Sequence, residues 1–522
     1  MTESRTDHTA DERKLLLGVD VGGSGARVAA FTVDGALVAS GRAPYAPHFD
    51  TDGTSYYRIP EVQQAVVDAL AEMFASRLVA ASEIAAVSSS LNNWMIAGYG
   101  DDGEPVTDYM FFLDPRMTDR IATVHAELEA GGVSADTYLR RVYTAPRLLS
   151  ALTSIREQEP ELFARVRRWA CSVQPFVYGL LGGHTDVEPE DTLGGTGIYD
   201  VFQHRFDPAI TSAIGVGEDD WAAPVYPGAF CGVVSAEGAA RSGLVKGTPL
   251  FAGVADRLAE MYGQGAISEK HINIGMGTTS VVSRLTKSQP EYSPAIQVMG
   301  GGDDATIRVG FGIGFFGRAL QWAHDALSYG TLNQHELAEL IQGGGGFDAM
   351  MKVAATSPAG ANGVVFLPQF MGLPENPDVR ATFTGITPFT TAGDIIRSVL
   401  EGLVFELHGG IAAISQSTGG GITTAYATGG PTRSGVWTQI IADILDMPVL
   451  ITDVASDLAA CKGAAIVAGV GLGVYDDVAD AARRAVGEVR RFEPQEPEAA
   501  FYREAMQHYR SLRTALSDHV YV

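Results

Sequence analysis

Several short stretches of this chain carry side chains suited to phosphate or hydroxyl chemistry. The first is Asp20-Val21-Gly22-Gly23-Ser24-Gly25-Ala26-Arg27, which follows the apolar run 14–19. A P-loop or dinucleotide loop runs strand, glycine loop, helix. Here the glycine turn lies between two strand-like runs, so a bound anion would be met by free backbone N–H groups. Gly22, Gly23 and Gly25 let the chain approach a phosphate with no Cβ in the way. Ser24 adds a hydroxyl, Arg27 can neutralise charge, and Asp20 is placed to hold Mg²⁺ directly or through water. An ordinary hairpin with an acid at its edge shows the same pattern. The second turn, Gly275-Met276-Gly277-Thr278-Thr279-Ser280, has the same logic with hydroxyls replacing glycines. Two such turns, one in each half of the chain, suit a clasp on the β- and γ-phosphates from both sides.

A third glycine loop, Gly429-Gly430-Pro431-Thr432-Arg433, opens the helix that contains Gln439. A strand–GG–helix turn in an α/β domain is a nucleotide-carrying geometry, and equally a tight turn of the fold. Asp256 follows the short apolar strand 248–254 and begins a helix. Phosphoryl transfer needs alignment, charge neutralisation and a carboxylate to take the hydroxyl proton, which suits an Asp at a strand end. The competing role is a helix N-cap. Asp114 and Arg116 stand beside Phe112 and Leu113, and Asn92-Asn93-Trp94 ends a strand. Carboxylate, guanidinium, amides and an indole suit a polyhydroxylated ligand, or a surface ion pair and a strand-end turn. Gly312-Ile313-Gly314-Phe315-Phe316-Gly317 matches GxGxxG, but no parallel strand with a following acid comes after it. Packing glycines are the better reading there than a dinucleotide site. The scattered histidines form no HExxH, and no GxSxG appears, so zinc-hydrolase and serine-hydrolase chemistry have no support.

The elements that must position these residues are strands and helices in alternation. Runs 14–19, 26–33 and 36–42, with a Asp34-Gly35 turn, read as a three-stranded meander. Apolar residues at helical spacing predict a helix over 60–78, followed by a strand over 84–90. Residues 117–181 read as mainly helical. Strand, turn, strand recurs over 271–285, about 255 residues after the opening, and suggests two domains of one architecture. Strands over 424–428 and 449–451 and helices over 434–445, 456–470 and 496–516 close the chain. The length, 522 residues, suits roughly two to four domains.

Composition narrows the partners. With 62 acidic against 37 basic residues the formal charge is -25, which repels nucleic acid and anionic membranes. The three cysteines, Cys171, Cys231 and Cys461, are far apart and make no CxxC, which fits a reducing cytoplasm. The polar start is no secretory signal, and the apolar stretch 463–475 is too short to span a bilayer. A soluble cytoplasmic protein acting on a small molecule is expected; a homodimer is compatible with this.

Taken in order, these motifs resemble those of the FGGY carbohydrate kinases, from about residue 15 to 474. Asp20 to Arg27 is similar to the family's D-x-G-T-T-S-x-R, and Phe112 to Arg116 to its W-x-D-x-R. Gly243-Leu244, Gly247-Thr248-Pro249 and Gly253 to Asp256 resemble G-L-x-x-G-T-P-V with G-x-x-D. Gly277-Thr278-Thr279 matches the G-T-S turn. Gly429 to Asp443, with Ser434 and Gln439, resembles the adenine-side G-G-x-x-x-S-x-x-x-Q-x-x-A-D, and 456–471 the closing small-residue helix. The resemblance implies an α/β fold of two ribonuclease-H-like (actin-like ATPase) domains with an interdomain cleft, at 14–252 and 253–516. It implies ATP and Mg²⁺ as cofactors, with Asp20 and Asp256 at the metal and Asp256 as general base. Phosphate contacts fall to Gly22, Gly23, Ser24, Arg27, Gly277, Thr278 and Thr279, and the nucleotide to Gly429, Gly430, Arg433 and Gln439. Substrate contacts fall to Asn92, Asn93, Trp94, Asp114, Arg116 and Arg257. The departures, Asn92-Asn93-Trp94-Met95 for Q-M-H-G, Gly23 and Gly25 for hydroxyl residues, and Arg257 for Asn or Gln, bear on the acceptor. A ketopentose such as xylulose or ribulose is the expected substrate; the alternatives are a non-catalytic sugar or nucleotide sensor on the same fold, or a kinase for a gluconate, glycerol or erythritol-type substrate.

Overall fold

The computed structural model describes residues 14–518, apart from 143–144, 184, 278, 328–345, 374–375 and 456. Thr278 lies outside the described residues. The chain forms two compact units. One comprises the described residues up to Ile267 with Val298–Arg308 and Asp457–Val486; the other comprises Ser268–Gln297, Val309–Ser456 and the chain from Gly487.

The first unit is built on a mixed sheet. Its order is Phe230–Val233, Pro249–Phe251, Ile84–Leu91, Leu15–Gly22, Gly25–Thr32, Leu37–Pro44, with Val254–Ala255 also paired to Ile84–Leu91. Leu15–Gly22 is central and buried at every residue except Gly22, so its sequence, Asp20 apart, is an apolar run rather than an alternating one. It pairs antiparallel with Gly25–Thr32, from Leu15 opposite Thr32 to Gly22 opposite Gly25, and parallel with Ile84–Leu91. The helix Ile59–Ala75 has Pro60 in its first turn and buries Val62, Ala65, Val66, Ala69, Leu70 and Met73, the face expected from spacing. It ends at Ala75, three residues before the expected end.

The compact units are not the consecutive stretches 14–252 and 253–516. Helices Asp256–Gln264 and Ala459–Gly471 both belong to the first unit. They cross backbone to backbone: a Cβ on Gly463 would lie 1.8 Å from the Ala259 oxygen, and one on Gly263 2.0 Å from the Ala459 oxygen. On the sheet side, a Cβ on Gly18 would lie 1.8 Å from the Cys461 oxygen. The small residues of the closing helix are therefore a packing surface for elements some 200 or more positions upstream in sequence, a separation no local pattern reports.

The strands that lie wholly in the second unit run in the order Ser280–Thr286, His271–Met276, Thr424–Thr428, Val449–Thr452, Glu488–Phe492. His271–Met276 pairs antiparallel with Ser280–Thr286 and parallel with Thr424–Thr428, with Gly275 opposite Thr428. The strand–turn–strand opening of the first unit is thus repeated. The helix Ala392–Ser417 is long and apolar enough to cross a membrane by composition, but 67% of its apolar 18-residue stretch is buried within the fold. Its Glu401 accepts from Arg397 Nε at 2.8 Å and from the Tyr502 hydroxyl at 2.6 Å, so its buried charge is paired.

All three cysteines are free and buried. Cys171 donates its thiol to Glu188 Oε1 at 3.4 Å, and its amide donates to Oε2 at 3.1 Å. Burial pushes the Glu188 carboxyl up to about 7, against smaller lowering effects of Ser172 and Cys171.

Two predictions follow from this packing. Gly463→Ala should lower stability by about 1–3 kcal/mol or more, whereas Gly409→Ala, whose Cβ meets nothing within 4 Å, should be neutral or slightly stabilising. Denaturant midpoints of the two variants check this, and equal midpoints would contradict the close crossing. The second concerns pH. Because the folded pKa of Glu188 is raised, its protonated form favours folding below about 4.5, and that contribution is lost as pH rises to about 7. Glu188→Gln should remove this loss, so its stability relative to the parent should climb by the order of 1–3 kcal/mol between those pH values and then level off. A flat difference across urea titrations at each pH would rule it out.

Candidate active site

Asp20 is placed by strand register. It lies opposite Ser90 on one neighbouring strand and Arg27 on the other. Its Oδ1 accepts the Ser90 hydroxyl at 2.8 Å, and Oδ2 accepts Arg27 Nη1 at 3.1 Å. Ser90 is also opposite Val254, so Asp256, two residues further on, emerges at the same end of the sheet. Burial raises the Asp20 carboxyl above its usual range, Ser90 and Arg27 pull it down, and the negative charge of Asp256 adds to the rise. The two acids therefore sense each other, which is the situation a cation relieves.

Asp256 is half-buried and is the first residue of its helix rather than its cap. Ala255 holds the N-cap position, and Asp256 Oδ1 accepts the Arg257 amide at 2.7 Å. The N-cap alternative is thus replaced by a carboxylate in the first helical turn. Arg257 turns its Nη1 to Glu260 Oε2 at 2.9 Å, so its charge is met inside the protein. Burial raises the Glu260 carboxyl; Arg257 lowers it, and Asp256 and Asp20 raise it further.

The glycine turn is braced from behind. The Tyr57 hydroxyl donates to the Gly23 oxygen at 2.8 Å, the Tyr45 hydroxyl to the Gly22 oxygen, and the Tyr45 amide to the Ser24 oxygen at 3.4 Å. With these oxygens occupied, Gly23 and Ser24 stand exposed at the tip. The Asn92 amide donates to the Val21 oxygen at 3.2 Å, which sets Asn92-Asn93-Trp94 beside this turn. Asn92 is held by the Tyr109 hydroxyl through its own oxygens. Asn93 has a buried Nδ2 with no partner among the described residues, an expense normally avoided. Trp94 has φ 67°, unusual for a bulky residue, and its indole packs on Gly195.

Asp114 is differently occupied. Its carboxylate accepts from Ser55 N, Arg116 N, Arg116 Nε and Arg116 Nη2 at 2.8–3.0 Å. Asp114 is buried and saturated, and it fixes the corner whose Phe111 packs edge-on against Tyr57 at 5.3 Å. The pair thus braces the turn through Tyr57, and Arg116 Nη1 reaches Glu159 at 3.4 Å.

In the second unit, Gly277 and Gly430 follow neighbouring parallel strands, the crevice position of α/β sheets. Gly429 must be glycine: its φ is 108°, and a Cβ would lie 2.1 Å from the Met276 oxygen. The two loops border a cavity of about 560 Å³ that Arg433 and Trp437 also line. Thr279 is exposed in the turn, and its oxygen accepts the Gly277 amide at 3.1 Å. Gln439 is not among the lining residues: its Nε2 donates to Asp443 Oδ1 and to the Glu493 oxygen, each at 2.8 Å.

Several residues around the site stand in no recognisable motif, or in one that points elsewhere. Gly312 and Gly314 are not packing glycines, since a Cβ on either meets nothing within 4 Å. Their loop instead delivers Gly317 and Arg318 to the cavity wall, while Phe316 stacks on Trp437 at 5.5 Å. Met351 and Phe347 complete that wall and carried no motif. Ser90 was signalled only by the run Ser88-Ser89-Ser90 inside an otherwise apolar strand, all three buried.

Comparison with known proteins agrees with this geometry. Residues 15–263 match the N-terminal domain of the FGGY family of carbohydrate kinases, and 272–472 match its C-terminal domain. A gluconokinase of Bacillus licheniformis is 24% identical over 507 residues, 96% of each chain. An L-xylulose/3-keto-L-gulonate kinase of Escherichia coli K12 is 24% identical over 506 residues, 96% of this chain and 97% of its own. The crystal structure of gluconate kinase from Lactobacillus acidophilus superposes with a TM-score of 0.84 at 20% identity, covering 97% of this chain and 99% of the other. That likeness gives the fold, an α/β protein with two actin-like ATPase-type domains. The matched domains and the α/β fold together place this chain in the FGGY family, and it is a carbohydrate kinase.

Proposed function

We propose that this kinase transfers the γ-phosphoryl group of ATP to a hydroxyl of a ketopentose such as xylulose or ribulose, with Asp256 as general base. The observation that carries the reading is the pairing of Asp20 and Asp256 at one end of a single sheet, within electrostatic reach of each other, beside an exposed glycine turn. In this reading the acceptor hydroxyl loses its proton to Asp256 as its oxygen bonds to the γ-phosphorus. The bond from that phosphorus to the bridging oxygen breaks, and ADP leaves.

Asn93 Nδ2, buried with no partner among the described residues, donates to an acceptor oxygen, and the Trp94 indole covers the apolar face of the sugar. The N–H groups of Gly22, Gly23 and Ser24, with Arg27, meet phosphate in the first unit; Gly277, Thr278 and Thr279 do so in the second. The base and ribose lie in the cavity lined by Gly430, Arg433 and Trp437. Gly429 brings that loop to Met276, and Gln439 acts behind it by holding Asp443. Asp114 and Arg116 order the corner rather than touch the sugar. Asp20 and Asp256 are the acids available to Mg²⁺ arriving with ATP, an ion bound through one or two carboxylates plus phosphates. Asp20, whose carboxyl is raised by burial and further by the charge of Asp256, is the residue to hold it, and the ion would neutralise phosphate charge.

The identity of the acceptor is supported by the internal pairing of Arg257 with Glu260, which leaves a neutral polyhydroxylated ligand better matched than an acid. ADP release across xylulose, ribulose, gluconate, glycerol and erythritol tests this: the two pentuloses should lead, and fastest turnover on gluconate would overturn the substrate class. With the leading acceptor, Asp256→Ala should lower kcat by about 10²- to 10⁴-fold while MgATP binding stays near parental. Turnover close to the parent would remove Asp256 from the role of base.

A further inference from the structure

The peptide that carries Asp256 is held by a residue outside every motif discussed above. Ala255 ends the short strand Val254–Ala255, whose partner is Ile84–Leu91. The Ala255 amide donates to Asp191 Oδ2 at 2.7 Å. Asp191 is fully buried, in the short helical segment Glu190–Leu193, and its Oδ1 has no hydrogen-bond partner among the described residues. An acid so placed is costly, and a carboxylate accepting one backbone N–H recovers only part of that cost.

Two further observations tie Asp191 to the site. Asp256 and Asp191 both act electrostatically on Arg308, which is also buried. The Asp191 backbone is fixed in turn by Gly300: a Cβ there would lie 2.8 Å from the Asp191 Cα. Four residues beyond Asp191, Gly195 takes the indole of Trp94. One buried segment therefore touches both the peptide before the proposed base and the ring proposed to cover the sugar. Burial also raises the Asp191 carboxyl to about 7, with the Ala255 amide and Arg308 opposing the rise.

We infer that Asp191 is a positioning residue of this kinase, fixing the Ala255–Asp256 peptide so that the Asp256 carboxylate meets the acceptor hydroxyl. The inference rests on the reading of Asp256 as base. Misplacing a reacting group by an ångström is enough to cost about 100-fold in rate, so a single anchoring bond is a sufficient lever.

Two variants and two readouts test it. Asp191→Ala removes the acceptor; Asp191→Asn keeps the shape and a carbonyl oxygen for the Ala255 amide. Amide hydrogen exchange on the full-length protein needs no acceptor sugar. In Asp191→Ala, exchange in the peptide spanning Ala255 to Arg257 should rise about tenfold or more, while exchange in Leu15–Gly22 stays parental. Asp191→Asn should restore most of the protection. In turnover, read with the panel compound on which the parent is fastest, Asp191→Ala should lower kcat about 10- to 100-fold with KM for MgATP within about twofold, and Asp191→Asn should recover most of it. Unchanged exchange at Ala255 in Asp191→Ala, equal loss in both variants, or a change confined to KM would overturn the inference. Parental turnover by Asp256→Asn would instead overturn the base assignment and leave the exchange result standing, so the two failures are distinguishable.

Discussion

A carboxylate buried at the end of a central strand is the constraint from which the first unit is organised. Asp20 lies in a strand that is covered on both faces, where an ionised acid is costly unless its lone pairs are filled. Ser90 and Arg27 fill them, one from each neighbouring strand, so the charge is tolerated only in this register. A slip of one residue would turn both partners to the opposite face. The same register brings Val254 opposite Ser90 and so delivers Asp256 to the same sheet end. The electrostatic pairing of two acids is thus a consequence of strand pairing rather than of any local motif.

Close backbone packing supplies the rigidity this arrangement needs. The helix that begins at Asp256 lies against Ala459–Gly471 with glycines at the crossing, and Ala459–Gly471 in turn lies against the strand that carries Asp20. Side chains any larger would separate the layers, and the two acids stand on elements clamped through that one helix. Around them, Tyr45, Tyr57 and the Asp114–Arg116 corner occupy the oxygens of the glycine turn or support the residues that do. The second unit repeats the strand–turn–strand plan but spends it differently. There the turn and the Gly429 loop border an open cavity walled by aromatic and aliphatic side chains, suited to a flat heteroaromatic ring.

Much of this was legible in the chain, for reasons that differ by feature. The apolar run 14–19, the helical spacing from Val62 to Met73, and the strand–turn–strand repeats are local patterns, and the structure contains each of them. Glycine turns were visible because glycine is required where backbone comes close, as at Gly429. What local pattern lacks is any statement of partners. Asp114 beside Arg116 reads as a binding pair, but the fold fills its oxygens with Ser55 and Arg116. Gly312 and Gly314 read as packing glycines, yet open space surrounds them and their loop lines the cavity.

The sequence by itself determined the residue types, the periodicities and the order of motifs, and with them the α/β class, the family and the carboxylates available for chemistry. Those properties depend on neighbours within a few positions, or on ordered matches along the chain. The tertiary structure alone decided which acids sense each other, that 457–486 joins the first unit, and that the Asn93 amide is buried with no described partner. These depend on strand register and on helices meeting across more than 150 residues, where a contact is set by packing and leaves no periodic trace in either segment.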